Sequence, residues 1–351
     1  MRYLRVRAKD AESARSILAK KNILDKRARV LNSARYVLLP VIIDGQKTIK
    51  VIEGLGMNAG IVERKGERAA LRTTYRELLE KRLTEEELSM VARGYDVLGN
   101  IAIVELFGDL GSKEKEVGKA MVEANANIST VLAKSGPVSG VYRKRKLRRI
   151  YGEDTYMALY KENGCAFRFD VRKAFFSSRL SFERGRVDRL SRDGESVAVA
   201  GAGVGPYAIE IAKHHPRSAI LAVELNRSAC ADMKRNIVLN RTPNVEPVLG
   251  DFNKVAMERR GYADRVIVPM PTVSMEMLPS IFAVAKAKAL VHLYTFCRTD
   301  GIKELKDRIR QAAKGHGRSA VFKGQRVVRP YSKDEIELCL DIMLRTMKSN
   351  D

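Results

Sequence analysis

Met1 to Ala8, MRYLRVRA, alternates apolar and polar side chains, the period of two that a half-buried strand requires. The next stretch, DAESARSILAKK, changes to the three- and four-residue spacing of an amphipathic helix, with Asp10 placed to cap it. RYVLLPVII and KTIKVIEGL predict two further strands around the turn DGQ, and the glycines of EGLGMNAG predict a linker near residues 53 to 60. A small α/β module is expected to end there.

The pattern turns helical through ALRTTYRELLEKRLTEEELSMVARG, strand-like at NIAIVELFG and helical again at EKEVGKAMVEANAN. From residue 196 onward, short apolar strands (SVAVA, AILAVE, RVIVP, ALVHLYTF) alternate with helical stretches. That alternation predicts a mainly parallel, doubly wound sheet with its ligand edge beyond the carboxyl ends of the strands. The chain contains no internal repeat or low-complexity tract.

Charge narrows the partners. Lys plus Arg number 65 against 42 acids, a formal charge of +23, so a polyanion is expected to bind in a salt-sensitive way, and nucleic acid leads the candidates. Residues 1 to 35 carry 11 basic residues against 3 acids, and Val141 to Ile150, VYRKRKLRRI, has six basic residues and no acid. VLLPVII is too short and interrupted to span a bilayer, so no membrane partner is expected. Cys165, Cys230, Cys297 and Cys339 show no C-x-x-C spacing, and the N-terminus lacks a signal-peptide core. A reducing cytoplasm is expected, with neither a disulfide framework nor a metal site.

SVAVA runs into GAGVGPYAIEIAKHH, where Gly201, Gly203 and Gly205 let the backbone turn tightly against a ligand and Pro206 suits the first turn of a helix. Glu224 closes the second strand about twenty residues on, where an acid can accept from both ribose hydroxyls. Asp251 follows a third strand and is placed either to accept from an adenine amino group or to serve as an ordinary turn residue. The loop reads G-x-G-x-G rather than the dinucleotide spacing G-x-G-x-x-G, which points to S-adenosyl-L-methionine.

Ahead of the loop, FFSSRLSFERGRV places Glu183 among Arg179, Arg184 and Arg186. With YDVLGNIAIVEL, YGED, YKENG, GAGVGP and VVRPYS, this stretch resembles the archaeal-type tRNA (guanine-37-N1)-methyltransferase family over nearly the whole chain. The resemblance implies a class I methyltransferase, Rossmann-like doubly wound α/β domain over 175–351. It implies a middle α+β, RNA-contacting domain over 66–174 and a small basic tRNA-binding α/β domain over 1–60. Its implied partner is tRNA, touched at the anticodon loop and outer corner by a monomer. It implies Glu183 as the base that removes the N1 proton of guanine, Arg143 as the cation facing guanine O6, and Arg184 as a nucleotide-positioning neighbour. Arg179, Pro269 and Pro271 fall at substrate-positioning places.

Several positions depart from the family pattern. Val199 stands where an acid is usual, Phe175 replaces an aromatic hydroxyl, and Pro269-Met270-Pro271 replaces N-x-P, removing an amide side chain that would fix the guanine. Two alternatives follow: methylation of a tricyclic wyosine intermediate at the same nucleotide, or tRNA binding by a degenerate site. Ser178-Arg179-Leu180, in place of SxGN, argues against aminocarboxypropyl transfer.

Overall fold

The protein is described by a computed structural model covering residues 1–351 except 26–27, 33–34, 43–47, 50–58, 65–72, 137–145, 333 and 348–351. It divides into two compact units, Met1–Leu78 and Leu79–Asp351.

In the first unit, β1 (Arg2–Arg7), β2 (Leu31–Asn32), β3 (Tyr36–Pro40) and β4 (Ala59–Glu63) form a sheet in the order β2-β3-β1-β4. Leu4 and Val6, the inward set of β1, pack with Leu39 against Ala14 and Leu18 of α1 (Ala11–Lys20). The expected alternation is thus what builds this core. Three expectations are corrected. Asp10 makes no side-chain cap, because it already lies in a helical turn where its carboxylate does not meet the first amides. Thr48 and Ile49, expected in a strand, are helical. The sheet also continues past residue 60: β4 pairs with β1 from Arg2↔Glu63 to Val6↔Ala59, which moves the end of the unit to Leu78. Most of the expected linker lies outside the described residues.

The second unit opens with α2 (Tyr75–Glu80), its first residues belonging to the unit before, and α3 (Glu85–Ser89). One long helical pattern is split here because Thr84 and Glu87 form a reciprocal capping box. Strands β5 (Asp96–Leu98), β6 (Ile101–Val104), β7 (Thr130–Lys134) and β8 (Leu147–Gly152) form a sheet in that order, with α4 (Glu114–Ala124) between the parallel pair β6 and β7. β9 (Met157–Glu162) and β10 (Cys165–Asp170) pair antiparallel across Asn163-Gly164, both at positive φ, the two-residue turn that Asn-Gly favours.

The large sheet holds β11 (Ser196–Ala200), β12 (Ala219–Glu224), β13 (Val245–Leu249), β14 (Ala263–Val268), β15 (Ala285–Arg298), β16 (Arg318–Pro330) and β17 (Glu335–Thr346). Their order is β13-β12-β11-β14-β15-β17-β16. The first five strands run parallel and the last two antiparallel. Five helices accompany it: α5 (Ser181–Leu190) before the sheet, α6 (Pro206–His214), α7 (Arg227–Asn240), α8 (Phe252–Glu258) and α9 (Leu278–Val284) between strands. A further helix, α10 (Ile302–Gly315), follows β15. Val197 and Val199 point into one apolar layer with α6 and α7, and Ala198 and Ala200 into the other with α9 and α10. Both faces are covered, so the predicted doubly wound sheet is present. Val199 is fully buried in that layer.

A separation at residues 174/175 is absent. Ile101, Ile103 and Leu132 of the small sheet share one apolar cluster with Phe167, Phe169 and Val197. The β10 edge is tied to α7 by side-chain amides: Asn240 Oδ1 accepts from Ala166 N and Asn236 Oδ1 from Arg168 N, both at 2.8 Å. These bonds satisfy backbone donors that an edge strand would otherwise leave open. Among the described residues, no helix is long and apolar enough to cross a membrane.

Candidate active site

A cavity of about 590 Å³ lies beyond the carboxyl ends of the parallel strands, within the usual size of a small-molecule site. Its wall combines Gly201 and Gly203 after β11, Glu224 at the end of β12, Asp251 after β13, and Pro269 and Met270 after β14. The loop geometry requires glycine. Gly201 has φ +59°, and a Cβ there would collide with the Met270 thioether. Gly205 stands at the turn into α6. It is absent from the wall, holds φ +92° at the N-terminus of α6, and a Cβ would meet Ile209 at 2.8 Å.

Glu224 supports this loop from below. Its Oε2 accepts from Gly203 N and its Oε1 from Asn226 N, each at 2.7 Å. Burial pushes its carboxyl up and these backbone donors oppose the rise. A carboxylate offers about four acceptor positions, so these donors do not exhaust it. Asp251 lines the cavity, and its Oδ1 caps α8 by accepting from Asn253 N at 2.9 Å. Pro269 lines the cavity, whereas Pro271 is outside its wall. The glycine cradle, the acid on the second strand and the size of the cavity suit an adenosyl group.

Glu183 sits in the first turn of α5 with only 3% of its surface exposed. Three side chains converge on it. Arg186 donates from Nε and Nη2 at 2.7–3.0 Å, Tyr294 donates its hydroxyl at 2.9 Å, and Arg326 pairs through Nε at 3.2 Å. Burial drives the Tyr294 hydroxyl well above its ordinary range, so it remains a donor. Tyr207, one residue into α6 beyond the glycine loop, donates in turn to Tyr294 at 3.0 Å. An aromatic hydroxyl therefore reaches Glu183 although residue 175 is phenylalanine.

Behind Arg186 lies a second tier. Its Nη1 donates to Asp341 Oδ2 at 2.7 Å; Asp341 Oδ1 also accepts from His292 Nδ1 at 2.6 Å. Burial alone would raise Asp341, but the His292 and Arg186 donors outweigh it and hold the carboxyl well below the usual range. Burial, with the Arg265 charge beside it, keeps His292 neutral, and its Nε2 accepts from Arg265 Nη1 at 2.6 Å. His292, Cys339 and Asp341 come close enough to hold a metal, but two arginines already use their lone pairs and add positive charge there.

The other expected residues divide. Arg184 is 3% exposed, binds Glu162 through Nε and Nη2 at 2.5 and 2.7 Å, and donates to the Ser177 carbonyl at 3.0 Å. These contacts tie its guanidinium to β9 and to the turn before α5. Arg179 is 67% exposed and pairs with Asp96 of β5 at 2.8 Å. Arg143 lies outside the described residues. Sequence reading missed Tyr294, Arg326 and the Asp341–His292 pair, which carry no local motif, and did not single out Arg186 as the arginine that holds Glu183.

Residues 158–321 match the TRM5/TYW2 methyltransferase domain, 75–155 the TYW2 N-terminal domain and 4–49 the tRNA methyltransferase 5 N-terminal domain. The tRNA (guanine(37)-N(1))-methyltransferase Trm5b of Pyrococcus abyssi is 31% identical over 340 residues, 96% of this chain and 97% of that one. The chain belongs to the TRM5/TYW2 methyltransferase family. The crystal structure of that Trm5b superposes with a TM-score of 0.70, covering 98% of this chain and 99% of the other at 30% identity. A structure titled as the complex of aTrm5 and tRNALeu gives 0.67, covering 97% and 99% at 25% identity. The Nanoarchaeum equitans tRNA (guanine(37)-N(1))/4-demethylwyosine(37)-methyltransferase Taw22 is 36% identical over 158 residues, 45% of this chain and 52% of that one.

Proposed function

We propose that this methyltransferase acts on N1 of guanosine 37 in tRNA, with Glu183 as general base. The observation that carries the reading is 31% identity to a tRNA (guanine(37)-N(1))-methyltransferase across 96% of the chain. S-adenosyl-L-methionine is the donor, and when bound it supplies an electrophilic methyl group. Gly201 and Gly203 admit it, Glu224 accepts from its ribose hydroxyls, and Asp251 faces the adenine. Guanine N1 carries a proton and is a weak nucleophile until that proton leaves. Glu183 takes it. Arg186 and Tyr294 fix both carboxylate oxygens, so the base is oriented before substrate arrives. The family resemblance assigns Arg143 the cation for guanine O6, where negative charge develops, and Arg179 and Pro269 the positioning of the nucleotide. The basic surface holds the tRNA, and the site of action is the cytoplasm, consistent with four free cysteines.

A second reading, methylation of 4-demethylwyosine 37, draws on Pro269 and Pro271 at the places of the usual signature and on the likeness to Taw22. Incubation with unmodified tRNA and labelled donor, followed by mass spectrometry of the nucleosides, separates the two. 1-Methylguanosine at position 37 supports the first reading. Product formed only on tRNA carrying the tricyclic base supports the second.

A further inference from the structure

Phe182 precedes Glu183 in α5, yet 63% of its surface is exposed while Glu183 is enclosed. Two guanidinium groups flank its ring. Arg326 lies 4.7 Å and Arg189 5.8 Å from the centroid. Arg326 does two things at once: its Nε pairs with Glu183 at 3.2 Å, and its side chain remains 44% exposed. Of the three side chains on Glu183, it alone is substantially open to solvent, since Arg186 is 16% and Tyr294 1% exposed. The exposed ring and the enclosed carboxylate are therefore joined by a solvent-facing cation.

An isolated exposed phenylalanine would need no explanation. One with two guanidinium groups within 6 Å of its ring centroid, beside a buried carboxylate, on a chain with a formal charge of +23, has the features of a single-strand nucleic-acid contact. An aromatic face stacks any base, and guanidinium groups beside it meet the phosphates. Arg189 makes no ion pair with a carboxylate among the described residues, leaving its charge available.

We propose that Phe182, with Arg326 and Arg189, is a stacking platform for a base flanking the target nucleotide in the single-stranded anticodon loop. The inference rests on the guanosine-37 reading above and adds to it the residues that grip the neighbouring base. A base stacked on Phe182 brings its phosphates to Arg326, and so to the one solvent-facing partner of Glu183.

The chain contains no tryptophan, so Phe182→Trp gives a single reporter whose emission a stacked base quenches. Val238→Trp, at a position 77% exposed on α7, is the control. Titration of each full-length variant with an unmodified tRNA transcript should quench the indole emission of Phe182→Trp and leave that of Val238→Trp nearly unchanged. Phe182→Ala should weaken tRNA binding roughly tenfold or more, and Phe182→Tyr should restore it. Unquenched emission from Phe182→Trp at saturating tRNA, or tRNA affinity unchanged in the Ala variant, overturns the platform even if guanosine 37 is methylated. Quenching in Phe182→Trp with no methylation by the wild-type enzyme leaves the platform standing and removes the guanosine-37 reading.

Discussion

Replacing Glu183 by Gln tests the proposed base with the least disturbance to its surroundings. The carboxylate is ringed by donors: Arg186 spans both oxygens, Tyr294 donates to Oε1 and Arg326 faces Oε2. An amide keeps only one acceptor oxygen. With that oxygen toward Arg186 and Tyr294, its NH2 opposes Arg326, which is 44% exposed and free to turn into solvent. About one hydrogen bond to a charged group is lost, so unfolding free energy should fall by about 1–3 kcal/mol. The chemistry should suffer more. Loss of a general base slows proton removal roughly 10²–10⁴-fold, about 3–5 kcal/mol of barrier. Single-turnover methyl transfer at saturating enzyme measures the rate, and guanidinium unfolding of the same samples measures the stability. Donor affinity should not change, because Glu183 is not part of the cavity wall. Methyl transfer within about threefold of wild type, alongside the expected stability loss, would refute the reasoning and leave Glu183 an ion-pair partner.

Gly201→Val should abolish donor binding in calorimetry, because the branched side chain meets Met270 and φ is +59°. Removing residues 1–72 should lower tRNA affinity and flatten its salt dependence by about 0.7–0.9 in log-log slope per lost phosphate contact, with donor affinity retained. Arg184→Ala should cost roughly 3–5 kcal/mol in denaturant unfolding, since Glu162 and Glu210 then share a buried site without a cation. Burial, reinforced by the adjacent Glu162, raises the Glu210 carboxyl above its ordinary 4.5; a folded state that keeps this proton loses stability as pH rises above 4.5. Glu210→Gln should therefore show a smaller loss of unfolding free energy between about pH 6 and about pH 8 than wild type.

The parts of this protein that local sequence specifies were legible in it. Strand β1, the glycine loop and the acid at the end of β12 depend on alternation, on turn geometry and on a spacing set by one βα unit. Asn163-Gly164 carried an equally local hairpin signal. Its structural consequence is a contact: the turn sets Asn163 where its amide donates to Glu210 at 2.9 Å. What local pattern could not reveal is which arginine belongs to which acid. Glu183 has Arg184 beside it, but the helix turns adjacent side chains about 100° apart. Arg186, three positions on, shares its face, while Arg184 turns toward β9 and Glu162. Tyr294, 111 residues away, reaches Glu183 only because the sheet order places β15 beside β14.

That sheet order also accounts for the way the two halves of the site are joined. The glycine loop ends where α6 begins, and Tyr207 at the second position of α6 meets Tyr294 on β15. Tyr294 follows Leu293, which pairs with Val268, so its register sets it level with Pro269 at the cavity wall. From there its hydroxyl donates to Glu183. One helix and two hydroxyl contacts thus link the glycine loop to the carboxylate. From the other side, Arg186 is held by Asp341 on β17, which pairs with His292 on β15 in the strand register as well as through its side chain. Each support stands on a helix or strand with a buried core behind it, where positions are kept more closely than on loops. The remaining support, Arg326, comes from β16 at the edge of the sheet and is the one left half open to solvent. Orientation of the carboxylate is thus assigned to the interior of the fold, and access to it to the edge.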